Sequence, residues 1–98
     1  MMLTAEDFEK LGFWEDETPE ENITVYGKDF SNGYLLLTDE LGKTPLDDKE
    51  IIVAAFYDES DAFLWGVEIK NFSDFKAICK NNTSDADFLT ALRNYRYM

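Results

Sequence analysis

Ile51-Ile52-Val53-Ala54-Ala55-Phe56-Tyr57, Asp58-Glu59-Ser60-Asp61 and Ala62-Phe63-Leu64-Trp65-Gly66-Val67-Glu68-Ile69 follow one another in the most apolar part of the chain. Two runs rich in β-branched and aromatic residues flank four polar turn formers, the pattern of a β-hairpin. Side chains alternate along a strand, so Ile51, Val53, Ala55 and Tyr57 share one face and Ile52, Ala54 and Phe56 the other. On the second strand Phe63, Trp65 and Val67 alternate with Ala62, Leu64, Gly66 and Glu68. Gly66 beside Trp65 marks a bulge or a ring lying over the backbone. This hairpin, residues 51–69, is expected at the centre of the sheet.

Working outward, Asn71 caps a helix whose Phe72, Phe75, Ile78 and Cys79 fall on one side at helical spacing. Asn81-Asn82 ends it. Ser84 then caps a third helix that carries Phe88, Leu92 and Tyr95 on a common stripe. Before the hairpin, Ile23 to Asp29 and Tyr34 to Thr38 read as two strands joined by the turn Ser31-Asn32-Gly33. The unbroken run Leu35-Leu36-Leu37 implies a strand covered on both faces or one that meets a partner. Asp39 to Glu50 reads as a polar connection with a tight turn near Gly42, and Pro45 excludes regular pairing there.

At the start of the chain, Thr4 and Asp7 form a weak capping box, Leu3 and Phe8 are spaced as a hydrophobic staple, and Gly12 stands where a left-handed cap belongs. A short helix over Ala5 to Leu11 follows. Trp14 to Asn22 holds five carboxylates and Pro19, and is expected as an exposed loop. The fold class expected is therefore α+β, one domain over residues 1–98, in the order α-β-β-β-β-α-α. The antiparallel sheet has its helices mainly on one face. This layout recurs in many small bacterial and phage proteins and carries no function by itself.

Composition narrows the chemistry. The formal net charge is −12, with eighteen carboxylates against four lysines through residue 69 and five cations against three Asp after it. That balance excludes direct nucleic-acid binding, which needs a basic footprint. No run approaches a membrane span, and the N-terminus has no signal-peptide pattern, so a cytoplasmic protein is expected. The chain has no histidine, which removes Ser-His-Asp and Cys-His catalysis and the commonest zinc and iron ligand sets. Its single cysteine, Cys79, reads as a small buried apolar residue. The acidic runs 47–50 and 58–61 lack the ligand alternation, Gly and distal Glu of a calcium loop. Glu68 is the one carboxylate inside an expected strand interior. No cofactor or metal site is expected.

The functional expectation is a non-enzymatic, acidic protein-binding module. Its sharper form is an inhibitor or immunity-type protein that presents carboxylates to a basic partner, with mimicry of nucleic-acid phosphates as one version. The candidate contact residues are Trp14, Glu15, Asp16, Glu17, Glu20 and Glu21 in the first acidic stretch, and Asp58, Glu59 and Asp61 in the hairpin loop. Trp14 is either an anchor for its loop or a binding hot spot. The alternatives are a self-associating homodimeric domain, joined through the Leu strand or the Tyr-rich C-terminus, and an enzyme using carboxylates and a divalent metal.

Overall fold

The computed structural model describes residues 1–18 and 22–96. The elements are α1 (Ala5–Glu9), β1 (Trp14–Glu17), β2 (Thr24–Phe30), β3 (Gly33–Thr38), β4 (Ile52–Asp58), β5 (Phe63–Ile69), α2 (Phe72–Asn81) and α3 (Asp85–Arg93). The strands form one antiparallel sheet in the order β1-β2-β3-β4-β5. The α+β class and the expected succession of elements hold, with one strand more than expected.

That strand is β1. Trp14–Glu17 pairs with Thr24–Gly27, where a loop was expected. All four residues are exposed, so no apolar alternation marks them as a strand. What places them is tertiary. Gly12, at φ +86°, turns the chain out of α1, and Phe13 is 1% exposed against Phe75 and Phe88. With Phe13 anchored beside β2, the next residues meet an open edge whose backbone groups need partners. At the other end, the Thr18 N–H donates to the Ile23 carbonyl and turns the chain back.

The hairpin of residues 51–69 forms, but its place differs from the expectation. β3 is the middle strand, and β5 is an edge. A short, local chain path explains this: each strand simply pairs with the next, so the last one ends at the margin. β5 also carries a bulge. Phe56 pairs with Trp65 and Tyr57 with Phe63, which leaves Leu64 as an extra residue. A one-residue slip reverses which face a side chain joins. Phe63 therefore leaves the face of Trp65 and Val67, where strict alternation had put it, and joins Tyr57.

All three helices contribute to a core on one side of the sheet. Phe8, Phe72, Phe75, Phe88 and Leu92 from the helices cluster with Tyr26, Leu35, Leu37, Ile52, Ala54, Phe56 and Ile69 from the strands. Phe8 stacks on Tyr26 at 4.1 Å, and Phe75 meets both Phe13 and Phe88 edge-on. Aromatic pairs of this kind add about 0.5–1.5 kcal/mol each beyond the area they bury. The helix starts follow the sequence closely, whereas α1 stops at Glu9, two residues short of the expected Leu11. Asn71 Oδ1 accepts the Asp74 N–H at 2.8 Å, and Ser84 Oγ the Asp87 N–H at 3.1 Å. At α1 the Asp7 carboxylate receives the Thr4 N–H at 2.8 Å.

Among the described residues Lys28 is the one strand cation, and it points to the helix side. Its Nζ lies 5.3 Å from the Phe30 ring centre, 5.9 Å from those of Phe13 and Phe88, and 3.6 Å from Asp85. A cation over aromatic faces is attracted by their quadrupoles. The C-terminal segment pads the β5 edge. The Tyr95 hydroxyl donates to Asp74 at 2.7 Å and accepts the Lys70 N–H. Tyr97 and Met98 lie outside the described residues.

Candidate functional site: the helix-free face of the sheet

The pleat that sends Leu35, Leu37, Ile52, Ala54 and Phe56 into the core sends their neighbours to the opposite face. Among the described residues no helix covers that face. The strand register arranges it in rows. One row runs Asp29, Tyr34, Tyr57, Phe63 across four strands. The next runs Trp14, Gly27, Leu36, Ala55, Gly66 across all five. A third holds Asp16 beside Val25, and Val53 between Thr38 and Glu68.

The first row is an aromatic ladder. Tyr34 and Tyr57 stack at 5.2 Å, and Phe63 meets Tyr57 edge-on at 5.9 Å. The second row is low, because Gly27, Ala55 and Gly66 carry little or no side chain. The Phe63 ring lies over Gly66, 3.4 Å from where a Cβ would stand, and Leu36 and Asp16 lean over Gly27 at 3.0 and 3.4 Å. Trp14 and Phe63, at opposite edges, are each 60% exposed. These are large apolar groups left in water on either side of a buried Leu36.

The strand-borne charge on this face is acidic, and Arg96 of the C-terminal segment lines a cavity with Val53, Gly66 and Glu68 at the β5 margin. Asp16, Asp29 and Glu68 are all exposed on it, and Asp61 joins them by accepting the Tyr34 hydroxyl at 2.8 Å. Among the described residues no Lys or Arg occupies a strand position on this face. Burial, and then the hydrogen bond to Asp61, push the Tyr34 phenol up to about 12, so Tyr34 is a neutral donor at physiological pH. On the helix side, burial and then the charges of Glu15, Glu9 and Asp7 raise Tyr26.

The sequence candidates are divided by this geometry. Trp14 and Asp16 stand on the helix-free face, whereas Glu15 and Glu17 alternate to the helix side of the same edge strand. The Asp16 carboxylate also accepts the Glu17 N–H at 2.8 Å, which blunts the β1 edge against pairing with another strand. Glu20 and Glu21 lie outside the described residues. In the hairpin loop, the Asp58 carboxylate is occupied in shaping the turn, accepting N–H groups from Ser60 and Ala62 at 2.8 and 3.0 Å. Asp61, at φ +66°, reaches Tyr34, and Glu59 is exposed at the tip. The two acidic groups sit at different strands, and the aromatic rows lie between them.

Tyr34, Tyr57, Phe63, Asp29 and Glu68 were not among the sequence candidates. Alternation placed Tyr57 opposite Phe56, which was a usable signal. The bulge was signalled only through Gly66, two residues from Leu64, and the register that brings Asp29 beside Tyr34 had no signal.

The described residues offer no group of three or more His, Cys, Asp or Glu that could hold a metal ion, and no helix long and apolar enough to cross a membrane. A smaller cavity of about 240 Å³ lies between Leu11, Lys28, Cys79, Asp85 and Phe88. Burial there pushes the Cys79 thiol up to about 11, opposed in part by Lys28. A thiol so protonated is a poor nucleophile at neutral pH. Comparison with known proteins gives no matching family model, curated protein or solved structure.

Proposed function

We propose that this protein is a non-enzymatic, cytoplasmic binding module whose helix-free sheet face takes a basic protein partner. The observation that carries the reading is the placing of rings among carboxylates: exposed Trp14 and Phe63 and half-buried Tyr34 and Tyr57 among Asp16, Asp29, Asp61 and Glu68. Aromatic residues supply contact area that is released from water on binding, and the carboxylates steer and select an oppositely charged surface. An inhibitor of a basic enzyme would use such a face by covering that enzyme's cationic site.

The test uses the tagged protein and the doubly substituted Trp14→Ser, Phe63→Ser protein as parallel baits in lysate, at low and high salt. Both replaced side chains are 60% exposed, so the fold should survive, which circular dichroism checks. A basic protein held by the native bait, released by salt and lost from the variant is the expected result. Equal retention by both baits would move the contact off this face and sink the proposal.

A further inference from the structure

We infer that what this face takes from its partner is arginine, presented on a short segment, and not lysine or a second copy of this chain; the inference rests on the basic-partner reading above. Two features of the face carry it, its size and its mixture of groups.

Five strands spaced about 4.8 Å apart put Trp14 and Gly66 roughly 19 Å from each other, and three rows of side chains span about 13 Å along the strands. The footprint is then on the order of 250 Å², about a third of what one partner of a stable interface buries. A face of this size suits a short segment. Two copies set face to face would also bring Asp16, Asp29, Asp61 and Glu68 of each against the same carboxylates of the other, at a net charge of −12 per chain. Like charges in a desolvated contact are costly. The second occupant is excluded on both counts.

The mixture of groups selects the cation. Trp14 is paired with Gly27, and Asp16 and Asp29 flank that pair along their strands. Together with Gly12, Glu15 and Lys28 these residues line a depression of about 530 Å³ at the β1–β2 edge. A guanidinium entering it would lie flat on the indole while its N–H fork reaches a carboxylate on either side. A second position repeats the arrangement: the Tyr34–Tyr57 stack carries Asp61 at one end, and Asp29 is the cross-strand neighbour of Tyr34. A planar, weakly hydrated guanidinium gains from stacking and from forked hydrogen bonds together. A compact, strongly hydrated ammonium uses the charge but little of the ring face. Carboxylates alone would not distinguish the two cations; carboxylates interleaved with rings do.

The experiment titrates the ¹⁵N-labelled full chain with hexa-arginine and, separately, hexa-lysine peptides, followed by the Trp14 indole N–H and the backbone amides of β3 and β4. The expected result is binding of the arginine peptide about fivefold or more tighter than the lysine peptide, from two stacked positions at roughly 0.5–1 kcal/mol each. Shifts should concentrate on Trp14, Gly27, Tyr34 and Tyr57, and the Asp29→Asn and Trp14→Ala proteins should each lose several-fold in affinity for arginine. Equal affinity for the two peptides would overturn the arginine inference and leave the basic-partner reading standing. Binding of neither at low salt would overturn both. Shifts confined to the helices or to residues 39–50 would place the cation elsewhere and overturn the assignment of the face.

Discussion

Gly33→Ala and Gly42→Ala add the same methyl group at two turns, and their costs should differ severalfold. Gly33 begins β3 and pairs with Phe30 on one side and Asp58 on the other. A Cβ there would stand 2.0 Å from the Tyr57 carbonyl oxygen and 3.1 Å from two atoms of the Phe56 ring. The first contact is with backbone, so relief requires β3 and β4 to part by about 1 Å, since such contacts are essentially never below 3.0 Å. Parting them forfeits about two ladder hydrogen bonds at ~1 kcal/mol each and adds ~1–3 kcal/mol of backbone strain. The expected loss is ~3–5 kcal/mol, out of a total stability on the order of 5–15 kcal/mol. Gly42, at φ +77°, has nothing within 4 Å, so alanine there meets only the left-handed backbone penalty, ~1–2 kcal/mol. Urea unfolding followed by tryptophan fluorescence measures both, with the slope checked for unchanged two-state behaviour. A Gly33→Ala protein within about 1 kcal/mol of Gly42→Ala would refute the claim that the strands are locked together at this corner. The same substitution disturbs the Tyr34–Tyr57 stack, so arginine-peptide binding should fall with Gly33→Ala and persist with Gly42→Ala.

Three further outcomes are expected. In an alkaline titration followed by phenolate absorbance, Tyr34 should ionise near 12, and Asp61→Asn should bring it down toward the ordinary 10. Because its folded value is raised, the stability Tyr34 contributes is complete below 10 and disappears as pH climbs toward 12. The Cys79 thiol, held up to about 11, should react with a disulfide reagent far more slowly at neutral pH than a free cysteine, and urea should abolish the difference. Asn71→Ala and Ser84→Ala each remove a cap bond and should cost ~1 kcal/mol in urea unfolding, with the double substitution close to additive because the caps belong to different helices.

The candidate site was legible only in part. Trp14 and Asp16 could be singled out because an exposed Trp among carboxylates is unusual on chemical grounds alone. Their neighbours Gly27 and Asp29 lie more than ten residues along the chain, and only the β1–β2 and β2–β3 pairings make them part of one surface. Phe63 was assigned to the wrong face, since a bulge is an insertion in pairing and leaves no mark in alternation. The Leu35–Leu37 run did report its situation: Leu35 and Leu37 enter the core, and Leu36 is 6% exposed on the other side.

By itself the sequence determined what depends on near neighbours. The caps at Thr4, Asn71 and Ser84, the turns at Gly12, Gly33 and Gly42, and the alternating strands of residues 51–69 all arise from interactions within a few residues, which spacing reveals. Only the tertiary structure decided that Trp14–Glu17 is a strand, that β3 and not the hairpin is central, that Lys28 lies among three rings, and that one side of the sheet gathers aromatics and carboxylates. Each of these depends on pairing register or on an anchor such as Phe13, and those energies belong to residues distant in the chain.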